Sequence, residues 1–139
     1  MSCELCDLAL APVYRNDKLA VFLVDDPNYP GFCRVIWNEH IKEMSDLAPQ
    51  DRAVLMDAVW QVELALRDVM APGKVNLASL GNMTPHLHWH VIPRFADDAH
   101  FPNPVWTEAV RATEATLLAA RRVLLPQLSA AIDRRMRKA

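Results

Sequence analysis

His86, His88 and His90 recur at a spacing of two in the segment His86-Leu87-His88-Trp89-His90-Val91-Ile92. A β-strand returns to the same face every second residue. The three imidazoles are therefore expected on one face, with Leu87, Trp89 and Val91 on the other, toward a core. Same-face neighbours lie about 6.5–7 Å apart along a strand, so two adjacent rings can reach one phosphate. Imidazole titrates near pH 6.5, roughly where a side chain can act as nucleophile, acid or base in neutral water. A second chemistry stays open, because His-x-His on a strand also converges on zinc. The triad segment itself carries no carboxylate to serve as base or to orient a metal ligand.

A second group of ligand-type residues lies upstream. Cys3-Glu4-Leu5-Cys6 is a C-x-x-C pair, a spacing that lets two thiolates share one tetrahedral ion. His40 is a third candidate ligand, after the apolar run that ends at Trp37. Packed or reactive thiols are the simpler reading of the pair. Cys33, inside an apolar strand, reads as a small buried hydrophobe.

The elements that must position these residues follow from periodicity. Leu19 to Val24 is an apolar run of strand length, followed by turn chemistry at Asp25-Asp26-Pro27-Asn28. Gly31 to Trp37 reads as a second buried strand. Pro49 opens a helix at a first-turn position, with Asp51 beside it where the helix dipole favours negative charge. Leu55, Val59, Val62, Leu66 and Val69 recur at three- and four-residue steps, predicting a helix to Met70 that stops at Pro72-Gly73. Lys74 to Leu80 reads as a strand, Gly81 to Pro85 as a turn and His86 to Pro93 as the triad strand, paired as an antiparallel hairpin. Residues 107–137 read as helix-rich with a break near Pro126. Their basic end reads as a solvated helix terminus. Strands paired by short links around a long helix indicate an α+β fold.

The triad followed by Pro93-Arg94 resembles the signature of the histidine triad (HIT) superfamily of nucleotide hydrolases and transferases. Val24-Asp25-Asp26-Pro27-Asn28-Tyr29-Pro30-Gly31 resembles that family's first nucleotide-contacting loop, and Gly81-Asn82 lies where the family has a Gly-Gln pair. The resemblance spans about Cys3 to Trp106. It implies an antiparallel sheet of about five strands with a long helix packed on one face, a HIT domain over 1–106 and a C-terminal helical extension over 107–139. It also implies a homodimer joined edge to edge. His88 becomes the expected nucleophile at an α-phosphate, His90 the phosphate contact, and His86 a residue that fixes the arrangement or serves a metal. Gly81, Asn82, Met83 and Thr84 would present donors to phosphate oxygens, although Met83 replaces the usual Ser or Thr and offers no hydroxyl. Asp25 or Asp26 would meet ribose, Asn76 would face the site, and Phe22 and Leu23 would border the base. In many bacterial relatives a structural zinc occupies positions matching Cys3, Cys6, His40 and His86; no organic cofactor is expected. The third histidine, His90, favours hydrolysis over transfer to a sugar phosphate. The implied substrate is a purine nucleotide derivative, either a dinucleoside polyphosphate or a nucleoside phosphoramidate. A nucleotide-binding sensor with little turnover and a zinc hydrolase built on the triad are the competing readings.

Composition sets bounds on these expectations. With 139 residues and 52% hydrophobic content, the chain suffices for one domain with a core. Lys and Arg number 15 against 17 Asp and Glu, which argues against a general nucleic-acid binder but not against a small nucleotide ligand. No apolar run is long enough to span a membrane. Three cysteines and a polar start at Met1-Ser2-Cys3-Glu4 make a reducing, cytoplasmic setting the expectation.

Overall fold

The computed structural model describes residues 3–138. Five strands form one antiparallel sheet: β1 (Tyr14–Arg15), β2 (Leu19–Leu23), β3 (Cys33–Trp37), β4 (Lys74–Ala78) and β5 (His88–Arg94), in the order β1-β2-β3-β5-β4. Helix α1 (Pro49–Met70) joins β3 to β4, and α2 (Ala115–Val123) and α3 (Leu125–Lys138) close the chain. The fold is α+β, as the sequence implied. Strand β1 escaped the sequence reading because two residues carry no usable alternation.

Alternation divides the sheet into two faces. Val21, Cys33, Val35, Trp37 and Val91 point to α1, whose Leu55, Val59, Val62 and Leu66 share the main core with them. Pro49 starts α1 at its first turn, and Ala71 ends it in the left-handed region at φ 47°, its N–H donating to the Arg67 carbonyl. Helix α3 adds Leu128, Ala131, Ile132 and Met136 to the same core. The opposite face holds two smaller clusters. Ala20, Phe22 and Ile36 lie under Leu5 at one end, and Tyr29, Phe32 and Ile92 pack together at the other. Between them, Arg34 stands opposite His90, and Ile36 opposite His88.

Several boundaries differ from the periodic reading. Strand β2 stops at Leu23 and β3 begins only at Cys33, because Gly31 adopts φ +95° in the turn between them. A Cβ there would lie 2.4 Å from the Met70 sulfur, so helix α1 ends against a position that only glycine fills without strain. Strand β4 ends at Ala78, and residues 79–87 link it to β5 in place of a tight turn. The triad strand starts at His88 and not at His86. Leu87 donates its N–H to Ile41 and accepts from Trp37, so this stretch binds the end of β3 before the β4 ladder begins. Residues 107–114 are not helical. They run along the loop after β5, where Val110 and Arg111 donate to the Ala99 carbonyl and the Thr113 hydroxyl to that of Asp97.

Candidate active site and metal-ligand cluster

His88 and His90 stand on the sheet face opposite α1, both 6% exposed, with ring centroids 4.9 Å apart and planes at 81°. The His88 Nδ1 lies 2.5 Å from the carbonyl oxygen of His86. A carbonyl only accepts, so Nδ1 carries the proton and Nε2 keeps its lone pair. The carbonyl of His88 in turn accepts from the Ser79 hydroxyl at 2.7 Å. Burial pushes the His88 imidazole below its ordinary value and the Arg34 charge pushes the same way, against the opposing pull of the His86 carbonyl. Burial, then His88 and Arg34, lower His90 further, to about 4. Both rings are therefore neutral at pH 7, the form in which a ring nitrogen has electrons to give.

A cavity of about 350 Å³ opens over these rings, lined by Arg34, Leu80, Gly81, Asn82, Met83, Thr84, His88, His90 and Trp106. His90 is held edge-on by Phe32 at 5.6 Å and by Trp106 at 5.0 Å. Its Nδ1 is buried without a partner. The rim is apolar and open: Leu80 is 55%, Trp106 51% and Met83 95% exposed.

His86 faces a different neighbourhood. Its Nε2 lies 2.5 Å from the Trp37 carbonyl oxygen and therefore carries the ring proton, which leaves Nδ1 as the free donor atom. That Nδ1 lies 3.4 Å from the sulfurs of both Cys3 and Cys6 and 3.1 Å from Nδ1 of His40. All four donor atoms fall within 4.8 Å of one another. The edges of a tetrahedron around zinc with sulfur and nitrogen ligands are about 3.3–3.8 Å, so the set fits one ion. The ring proton on a backbone carbonyl is the support that metal-bound histidines use. Among the described residues, the metal-type cluster takes His86 and leaves out His88 and His90. The triad is thus divided between two sites that share the backbone of His86.

Comparison with known proteins now bears directly on this geometry. The family model described as HIT domain matches residues 10–97, more than half of the chain. The chain belongs to the HIT family. Over 100 residues it is 28% identical to the fission yeast (Schizosaccharomyces pombe) protein named bis(5'-nucleosyl)-tetraphosphatase [asymmetrical], covering 68% of this chain and 55% of that one. Over 81 residues it is 30% identical to the Mycobacterium tuberculosis protein named AP-4-A phosphorylase, covering 54% and 42%. The chain thus spans about half the length of these curated relatives. The crystal structure of a histidine triad protein from Bradyrhizobium japonicum superposes with a TM-score of 0.67 at 29% identity, covering 84% of this chain and 88% of that one.

Within this HIT fold the other residues singled out from sequence are only partly gathered. Gly81, Asn82, Met83 and Thr84 line the cavity. Asp25, Asp26 and Asn76 do not. Asp25 is exposed, and the Asp26 carboxylate accepts from the Asn28 N–H at 2.9 Å, which is turn chemistry. Asn76 gives its side-chain oxygen to the Arg94 guanidinium at 2.7 Å. Phe22 is buried beneath Leu5 and does not border the cavity. Arg94 of the Pro93-Arg94 motif is structural: it pairs with Asp98 at 2.8 Å with both side chains buried, and donates to the Asn103 carbonyl. Asp98 also accepts from the N–H groups of Phe95, His100 and Phe101 and from the Tyr29 hydroxyl. The Arg94 charge and these donors overcome the burial penalty and hold the Asp98 carboxyl well below the usual range. This knot fixes the loop that carries Trp106. His100, given no role from sequence, belongs to it through the Tyr29 hydroxyl at 2.6 Å.

Arg34, Leu80 and Trp106 line the site and were missed. Arg34 did leave a signal: it is the charge inside Phe32-Cys33-Arg34-Val35-Ile36-Trp37, on the opposite parity from the core residues Cys33, Val35 and Trp37.

Proposed function

We propose that this chain hydrolyses a purine nucleotide derivative, a dinucleoside polyphosphate or a nucleoside phosphoramidate, through a nucleotidyl-histidine intermediate on His88. The observation that carries the reading is the His88 ring, proton held on Nδ1 by the His86 carbonyl and Nε2 free beside a cavity. The Nε2 lone pair forms a bond to the α-phosphorus while the bond from phosphorus to the leaving group breaks, its electron pair departing with that group. A polyphosphate leaves as its anion, and an amine takes a proton from solvent. Water then attacks phosphorus, the P–N bond returns its pair to Nε2, and the water's proton goes to solvent. Splitting the reaction in two replaces one hard displacement with two easier ones. His90 contacts the phosphate, Gly81–Thr84 offer backbone and side-chain donors to its oxygens, and the exposed carboxylate of Asp25 is the ribose candidate of its loop. The relatives named tetraphosphatase and phosphorylase support nucleotide hydrolase or transferase chemistry at the level of the family.

Two further features belong to the same proposal. Cys3, Cys6, His40 and His86 hold a structural zinc, which ties the N-terminal segment to the end of β3 and supplies no chemistry at phosphorus. The free edge of β4 pairs with a second copy, making a homodimer; residues 1–106 carry the site, and 107–139 extend the unit through α3.

The test uses wild type and His88→Ala with an adenosine phosphoramidate and with diadenosine tetraphosphate. AMP release is expected from wild type alone, with the variant slower by at least about a thousandfold. Intact mass after an acid-free quench is expected to show a gain of one nucleotidyl group. Equal rates in both proteins, or no AMP from either substrate, would move the reading to a nucleotide-binding module.

A further inference from the structure

We propose that Arg34 is a substrate-binding residue of this site, its guanidinium clamping non-bridging oxygens of the phosphoryl group that faces His88. The inference rests on the nucleotide reading above and adds to it a residue outside the triad and outside the Gly81–Thr84 loop.

The position comes from strand alternation. In β3, Cys33, Val35 and Trp37 are buried toward α1, so Arg34 points to the face that holds His88 and His90. Register places it directly opposite His90 on β5 and Phe22 on β2. Facing side chains of an antiparallel pair start only about 4.5–5.5 Å apart at Cβ, so the guanidinium and the two imidazoles share one small volume. The cavity walls confirm this: Arg34, His88 and His90 line it together, and Arg34 is the one Lys or Arg among its lining residues, which include no carboxylate.

The charge has no internal partner. Arg34 makes no salt bridge among the described residues, and its buried Nε has no hydrogen-bond partner. A guanidinium carries five N–H donors and cannot shed its charge, so leaving it half-buried and unpaired in a sheet is costly. A ligand bearing a planar pair of anionic oxygens removes that cost, and phosphate is the complement that Arg binds by two parallel hydrogen bonds. Apart from the two histidines, the rest of the polar lining supplies only neutral donors: the Asn82 amide, the Thr84 hydroxyl and backbone N–H groups. Met83, with a thioether 95% exposed, supplies none from its side chain. Arg34 thus brings the positive charge that the loop lacks. Its field also opposes protonation of His88 and His90, in the same direction as burial. No proton moves through it, so the stepwise displacement stays balanced as written.

The experiment measures binding and turnover in wild type, Arg34→Leu and Arg34→Lys. Leucine retains apolar packing next to Phe22, and thermal melts check that each variant folds. AMP and adenosine are titrated calorimetrically, adenosine being the same ligand without phosphate. Arg34→Leu is expected to bind AMP about 10- to 100-fold more weakly, with Arg34→Lys between it and wild type, since one charged donor set is lost. Adenosine binding is expected to change by less than about threefold. In turnover of diadenosine tetraphosphate, kcat/KM is expected to fall by at least the loss in AMP affinity. AMP affinity unchanged in Arg34→Leu, or an equal loss for AMP and adenosine, overturns the assignment. Wild type that binds AMP through Arg34 yet releases none from either substrate removes the hydrolase reading and leaves this one standing. Wild type that binds no AMP overturns both.

Discussion

The proton on His88 is placed by a carbonyl two residues upstream, and this single bond decides which ring nitrogen is available for attack. Its neighbour His90 has the opposite problem, a buried Nδ1 with nothing to bond. Its value falls from 6.5 to about 4, so the unfolded chain takes up this proton at a higher pH than the folded chain does. The folded state therefore has its full stability above roughly pH 6.5 and loses it as pH falls toward the folded value. At 1.36 kcal/mol per pH unit the loss is at most roughly 3 kcal/mol, and water in the open cavity over the ring lowers it. Urea unfolding as a function of pH is expected to show a steeper decline below about pH 6.5 in wild type than in His90→Gln, whose amide does not titrate. Identical slopes would show that His90 is not held neutral.

At the scale of elements, β4 is one of the two end strands of the sheet and, among the described residues, presents a row of backbone groups with no partner strand. Edge strands that natural proteins leave free are usually charged, bulged or covered. Here the strand Lys74–Ala78 carries Leu77, 41% exposed, and is followed by Leu80, 55% exposed. A cavity of about 580 Å³ runs along it between Glu63 and Trp106. Pairing with the same strand of a second copy would satisfy the ladder and cover the leucines. Sedimentation is expected to give a dimer for wild type and a monomer for Leu77→Lys, because a buried lysine on each copy is left without a counter-charge. A wild-type monomer at all accessible concentrations would exclude the edge pairing. Residues next to this edge, Leu80 and Trp106, also line the His88 cavity, so the monomeric variant is expected to alter turnover as well.

Across the whole molecule, the two halves of the triad are coupled through one residue. The His86 ring belongs to the cluster with Cys3, Cys6 and His40, while its carbonyl orients His88. Its N–H also bonds the Thr84 carbonyl, at the end of the Gly81–Thr84 loop. An ion bound to the first group therefore stiffens the support of the second. Purified protein is expected to carry one zinc per chain by elemental mass spectrometry. Chelation, or Cys6→Ser, is expected to lower Tm by several degrees and to slow AMP release, with readdition of zinc restoring the chelated wild type only. Loss of metal with unchanged Tm would remove the structural role. Activity that survives chelation at full rate would separate the cluster from the site at His88.

Much of this protein was legible in its residues. The helix over Pro49–Met70, the strand character around Leu19, Val35 and His90, and the α+β class follow from local periodicity, which burial enforces residue by residue. Which residues could do chemistry was equally plain from the three histidines and the C-x-x-C pair. Their partition was legible only through the family resemblance, which set His86 with Cys3, Cys6 and His40; spacing alone put three rings on one face of a strand. The physical reason they part is tertiary: Leu87 is drawn to Ile41 and Trp37 before the ladder begins, and His86 turns its ring nitrogen to cysteines some eighty positions away in the chain. Arg34 drew no notice because its meaning depends on register: only the β3–β5 pairing sets it opposite His90. Asn76 shares the sheet face of His90, but that its side-chain oxygen goes to Arg94 on another strand is visible only in the pairing. Local patterning is a property of neighbours along the chain, whereas the owner of each hydrogen bond and charge is decided by neighbours in space, and those exist only once the sheet has paired.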